Sequence, residues 1–153
     1  MSVSQLPGWF VSSKVGEKTV QLDGVAYTIH ILSRELAPDL VGFVGREKAS
    51  GEFFASEDVP DEFFEFIMIH EIKEFTEFAG IAGRCLAAVL CEFDYAKAQL
   101  SVDRLKVYLE YRLDFFRRLV EYYRDKDGQE ELKYEISHGL TTLESVASLY
   151  GIK

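Results

Sequence analysis

The sequence has few of the residues that would indicate a secreted, disulfide-linked protein. Its only two cysteines, Cys85 and Cys91, are six residues apart in one predicted helix, where they point about 120° away from each other. Because such a pair cannot form a local disulfide, we expect reduced thiols. The first ten residues, MSVSQLPGWF, lack the basic and apolar regions of a signal peptide, so the predicted location is the cytoplasm.

Positive charge and long apolar runs are also scarce. The chain has 17 basic against 26 acidic residues, a formal net charge of -9, and its basic residues are dispersed. A chain with this balance repels phosphate backbones and anionic lipids, so we expect neither nucleic-acid nor membrane binding. No apolar run approaches the roughly 18 residues that a membrane-spanning helix needs.

The first part of the chain has the patterns of β-strands. Residues 18–22 and 25–32 are β-prone and flank an Asp-Gly turn, which predicts a hairpin. Residues 40–44 and 51–55 repeat this arrangement around a polar turn. We therefore expect a small antiparallel sheet at the N-terminal end.

After Pro60 the apolar period changes from about two residues to about 3.6, which indicates helices. Ser101 is the predicted cap of the third helix, and a capping box formed by Thr141 and Glu144 predicts that the last helix begins there. The first predicted helix is capped by Asp58 or Asp61 and runs to about residue 78. The other predicted helices are residues 84–100, 102–124, 129–137 and 141–150. The fold class is therefore α+β, in one domain covering 1–153 that is mainly β over 1–57 and mainly α over 58–153.

The segment IMIHEIKEFTEF, residues 67–78, places charged groups inside one of the most apolar runs of the chain. On a helical wheel Glu74 lies about 40° and Glu71 about 100° from His70, in an arc of Phe, Ile and Met side chains. A buried carboxylate must be protonated, paired with a cation or bound to a metal. His70 and Glu74 share a face one turn apart, which is the geometry of two ligands on one metal ion.

The motif HEIKE resembles the HExxH helix of the zincin superfamily of zinc metallopeptidases, in its gluzincin branch. The resemblance covers about residues 50–97 and includes an acid on the next helix, Glu92, which follows Glu74 by 18 residues. It implies a zincin-like fold, a zinc ion, and hydrolysis of a peptide or amide bond. It also implies that His70, Glu74 and Glu92 are the three metal ligands. Glu71 would be the general base.

The motif departs from the family because a glutamate, Glu74, replaces the second histidine. A shell of one histidine and two glutamates neutralises a divalent ion, which weakens its Lewis acidity and favours manganese or iron more than a two-histidine site does. We therefore expect a restricted substrate. Cys85 and His138 are further candidate ligands.

A second interpretation involves no metal. The acids of the first helix can pair with arginines of neighbouring helices: Arg84, Arg104 or Arg112. The chain would then be a non-enzymatic interaction module that keeps the zincin-like fold. Its contact surface would be the Tyr-rich helix 102–124, through which the chain could also form oligomers.

Overall fold

The computed structural model describes residues 6–152. The first five residues of the segment predicted to lack a signal peptide lie outside this range. The chain consists of two compact units, residues 1–71 and residues 72–153. The boundary between them falls inside a continuous helix. Within residues 6–152, no helix combines the length and apolar character that crossing a membrane requires.

The first unit begins with the helix α1 (Gly8–Ser13) and is built on a four-stranded sheet. Its strands are β1 (Lys14–Leu22), β2 (Val25–Leu32), β3 (Val44–Arg46) and β4 (Phe53–Ser56), arranged in the order β1-β2-β4-β3. β1 pairs with β2 and β3 with β4 in antiparallel fashion, whereas β2 and β4 are parallel. A short 3-10 helix, Arg34–Leu36, follows β2.

The predicted α+β class is confirmed, but the prediction of an antiparallel sheet is wrong for one pair of strands. The β3–β4 hairpin joins the sheet through β4, which then runs parallel to β2. Three of the four residues of β4 are buried, whereas β3 ends on the exposed Arg46. The more apolar strand therefore takes the interior position and the more polar strand forms the edge. This choice depends on burial, which the local hairpin pattern does not encode.

The first hairpin forms as the sequence predicts. Asp23 and Gly24 both have positive φ, 51° and 80°, and Leu22 pairs directly with Val25. Positive φ at both central residues is the geometry of a two-residue type I′ turn, whose twist matches that of the flanking strands. The Asp-Gly pair therefore fixes the register of β1 on β2.

Helix α1 was not predicted, because six residues carry no measurable helical period. Its Phe10 is fully buried and forms a small core cluster with Leu32 and Phe43. The Phe10 ring also meets the His30 ring edge-on, with 5.2 Å between centroids. Burial of this one aromatic side chain anchors the segment, since a helix this short is not stable alone.

Gly45 on the edge strand β3 lies directly opposite Phe54 on β4. A Cβ atom at position 45 would come within 2.7 Å of the Phe54 ring, so the ring covers the space that a side chain would occupy. Three other aromatic rings hold Phe54 in an edge-on arrangement: Trp9, Phe10 and Phe43. Phe54 therefore compensates for the missing side chain of the edge glycine.

In the second unit, α5 (Glu130–Ser148) packs against both α3 (Arg84–Gln99) and α4 (Val102–Tyr123). Ser101 caps α4 as predicted, because its hydroxyl accepts a hydrogen bond from the Arg104 N–H at 3.2 Å. The helix that crosses the division ends at residue 74, four residues earlier than predicted. This helix is α2 (Asp61–Glu74).

The prediction of two short helices at 129–137 and 141–150 is wrong, since α5 is a single helix. The Thr141 hydroxyl donates to the Ser137 carbonyl at 3.0 Å, four residues back, instead of capping a new helix. Gly139 lies inside the helix and is buried against neighbouring side chains. Tertiary packing therefore favours continuation of the helix at a residue that, by propensity alone, favours a break.

Replacement of Gly45 by alanine should lower the free energy of unfolding by about 1–3 kcal/mol, because the new methyl group displaces the Phe54 ring. Gly16 on β1 is the matched control: its Cβ would have no neighbour closer than 4.0 Å. Urea unfolding of Gly16→Ala should give a change within about 0.5 kcal/mol. Equal effects of the two substitutions would contradict the assigned role of Phe54.

Candidate metal site on α2 and α3

The last turns of α2 carry the HExxE motif. His70 is buried with 3% exposure, while Glu71 and Glu74 are partly buried. Lys73 lies about 300° from His70 on the helical wheel, opposite the apolar arc, yet it is only 5% exposed and donates to Glu77 at 2.6 Å. The end of α2 is therefore buried on more sides than the apolar arc of the wheel indicated.

Cys85, at the beginning of α3, joins two residues of this motif. One ligand atom each from His70, Glu74 and Cys85 lies within 4.8 Å of the other two. The thiol-bearing residue is buried, with 4% exposure. The structure thus brings together two of the three predicted ligands, and it adds the cysteine that the sequence offered as a further candidate.

Glu92, the third ligand implied by the zincin resemblance, is not a member of this group. Its side chain is 2% exposed and forms a two-pronged ion pair with Arg112 on α4. Arg112 Nε donates to Glu92 Oε2 at 2.7 Å, and Nη2 donates to Oε1 at 2.8 Å. The Tyr108 hydroxyl also donates to Oε2. Both oxygens of Glu92 therefore accept hydrogen bonds from α4.

The surroundings of Tyr108 and Arg112 in this cluster favour a neutral phenol and a charged guanidinium. Burial and the neighbouring Glu92 carboxylate raise the pKa of Tyr108 well above its usual value, so the phenol stays neutral. Burial is the largest single influence and lowers the pKa of Arg112, but the charge and hydrogen bonds of Glu92, together with Tyr108 and Tyr111, outweigh it and the net shift is upward. The Arg112 guanidinium also lies 5.0 Å from the ring centroids of Phe115 and Phe116.

The N-terminus of α3, where Cys85 lies, is capped by a side chain from another helix. Gly83 precedes α3 in a left-handed conformation, with φ 77° and ψ 23°, and provides no side chain for capping. Glu135 on α5 accepts hydrogen bonds from the backbone N–H groups of Gly83 and Cys85, both at 3.0 Å. This contact has no sequence signal, because the two segments are about 50 residues apart.

His138, the other further candidate, lies elsewhere. It is exposed on α5, with its ring 4.1 Å from the Tyr134 ring centroid, and it is not part of the ligand group. Of the three arginines considered as partners for the acids, Arg112 pairs with Glu92, and Arg84 stacks over the Phe75 ring at 5.3 Å.

The three grouped side chains are chemically suited to one transition-metal ion. An imidazole nitrogen, a carboxylate oxygen and a thiolate sulfur are all zinc ligands. Three protein ligands leave a position for water or substrate, which is typical of catalytic rather than structural zinc sites. The donor set therefore fits zinc.

No family model, curated protein or solved structure matches the chain. The resemblance to gluzincins consequently stays a prediction based on the HEIKE motif.

Glu92→Gln should lower the free energy of unfolding by about 3–5 kcal/mol, because it leaves the Arg112 charge buried without a counter-ion. The matched control is Asp114→Asn, which breaks the exposed ion pair between Asp114 and Arg118, both on α4. That change should cost no more than about 1 kcal/mol in urea unfolding. A loss for Glu92→Gln as small as the control's would contradict the structural role assigned to this ion pair.

Proposed function

We propose that this chain binds one divalent zinc ion through His70, Glu74 and Cys85, and that it is a metal-dependent hydrolase. The observation that carries the proposal is the mutual distance of the three ligand atoms, all within 4.8 Å. Ligand atoms about 2.0–2.3 Å from a common ion are necessarily this close to one another. Two of the three also belong to the motif that resembles the zincin helix.

The donor types favour zinc over manganese or iron. A thiolate is a soft ligand, whereas the harder ions prefer oxygen ligands. Replacing Glu92 by Cys85 in the predicted shell leaves its formal charge unchanged, since carboxylate and thiolate each carry one negative charge. The thiolate therefore strengthens the expectation of zinc although the charge of the shell stays the same.

Glu71 is the proposed general base. It follows His70 directly on α2, and its side chain is partly exposed. A carboxylate in this position accepts a proton from water as the water attacks a carbonyl carbon. A bound zinc ion supplies the Lewis acidity, and it acidifies water in sites of this kind.

The proposed substrate is a restricted peptide or amide. One imidazole, one carboxylate and one thiolate cancel the charge of a divalent ion, so polarisation of a carbonyl is weaker than in a two-histidine site. Cys85 must remain reduced to bind metal, which agrees with the predicted cytoplasmic location. The net charge of -9 gives no reason to propose nucleic acid or membranes as partners.

A second candidate function is favoured by the Glu92–Arg112 ion pair. In this pair an arginine, and not a metal ion, neutralises the buried acid of α3. The interpretation as a non-enzymatic interaction module expects buried acids to be paired in this way. In such a module α4 would offer the contact surface, and Val102 and Val107 are its exposed apolar side chains, at 60% and 40% exposure. Metal content distinguishes the two functions directly.

Protein purified without a histidine tag or chelator should contain about one zinc ion per chain by elemental analysis. Cys85→Ser and Glu74→Ala should each weaken zinc binding by about tenfold or more, because each removes a ligand. Cys91→Ser changes the other cysteine, which lies outside the group, and is the matched control. Equal zinc affinity in the Cys85 and Cys91 variants would exclude Cys85 as a ligand.

Glu71→Gln should keep zinc affinity but lower hydrolysis by about 100-fold or more, since an amide cannot accept the proton of the attacking water. The measurement is turnover of a peptide or amide substrate library by zinc-loaded protein, with metal content determined on the same samples. Cys91→Ser serves as the active control. Hydrolysis by Glu71→Gln at the wild-type rate would remove Glu71 from the mechanism.

A further inference from the structure

We infer that helix α5 positions the Cys85 thiol for metal binding, through Glu135 and Gly139. The inference rests on the proposed zinc site. It adds two residues that are not metal ligands themselves. Both act as positioning residues. They are four residues apart on α5, so they lie on one face about one helical turn from each other.

Glu135 fixes the backbone of Cys85. Its carboxylate is buried, with 8% exposure of the residue, and each oxygen accepts one N–H at the beginning of α3. Helix N-termini have unpaired N–H groups and a positive dipole end, so a carboxylate is well suited to this position. Since Gly83 has no side chain to serve as a cap, Glu135 takes this role from α5.

Gly139 defines the position of the sulfur. A Cβ atom at this residue would lie 2.7 Å from Cys85 Sγ, 3.3 Å from the Phe116 ring and 3.5 Å from Val89. Real Cβ atoms essentially never come that close to a neighbour, so any larger side chain here must displace the thiol. Glycine in a helix interior costs about 0.5–1 kcal/mol relative to alanine. At position 139 this destabilisation is accepted in exchange for room beside the Cys85 sulfur.

The two contacts together restrain Cys85 at its backbone and at its sulfur atom. Glu135 holds the Cys85 N–H, and the α5 backbone at Gly139 lies against Sγ. With the backbone and the sulfur both restrained, the thiol has little freedom to rotate away from His70 and Glu74. Metal ligands need placement within about 0.5 Å, and loss of the groups that orient them typically weakens binding by about 10–100-fold.

The test is zinc affinity by chelator competition, together with the sulfur-to-cobalt charge-transfer band of cobalt-substituted protein. Glu135→Gln and Gly139→Ala should each weaken zinc binding about 10–100-fold and reduce the band. Glu131→Gln changes an exposed glutamate one turn earlier on α5 and should alter affinity by less than about twofold.

A double-mutant cycle separates positioning from general packing. If Gly139 acts through the sulfur, Gly139→Ala should have little further effect on zinc affinity in a Cys85→Ser background. A purely structural role would instead lower affinity in both backgrounds, in parallel with urea stability, and would overturn the inference. Should Gly139→Ala fail to fold, Glu135→Gln decides the inference by the same two readouts.

The outcomes also distinguish the two proposals. Wild-type protein that binds neither zinc nor cobalt contradicts the proposed function, and the inference fails with it. Wild-type binding that is unchanged in folded Glu135→Gln and Gly139→Ala overturns the inference alone and leaves the zinc site standing.

Discussion

The buried ion pair between Glu92 and Arg112 is the interaction on which the second unit depends. It removes two charges from water, which is costly, and repays that cost through two charge-assisted hydrogen bonds and the Tyr108 hydroxyl. Such a pair requires one rotation of α3 relative to α4. Because Cys85 lies seven residues before Glu92 on the same buried stripe, this rotation also determines where the thiol lies.

This ion pair changes the chemistry expected of the site. While Glu92 is bound to Arg112, the predicted His, Glu, Glu shell cannot form without breaking the pair. Cys85 offers the third ligand atom instead. The charge balance of the shell is the same, but the thiolate shifts metal preference from hard ions toward zinc. The α5 residues that position Cys85 should then affect metal affinity.

Local signals in the sequence predicted much of the fold. The Asp-Gly turn, the Ser101 cap and the period change at Pro60 are properties of neighbouring residues, and each marks an element the structure contains. The parallel pairing of β2 with β4 and the continuity of α5 through Gly139 depend on contacts between distant segments. The site divides in the same way: His70 and Glu74 were identified by their spacing on one helix. Cys85 could not be selected over Glu92, because only packing gives Glu92 its arginine.

X-ray absorption at the zinc edge of protein loaded with one equivalent of zinc tests the central claim most directly. The account predicts a shell with one sulfur at about 2.3 Å and nitrogen or oxygen ligands at about 2.0–2.1 Å. Cys85→Ser should remove the sulfur contribution, and Cys91→Ser, which changes the cysteine outside the group, should leave the spectrum unchanged. A shell of nitrogen and oxygen alone in the wild-type protein would contradict the proposed His70, Glu74 and Cys85 site.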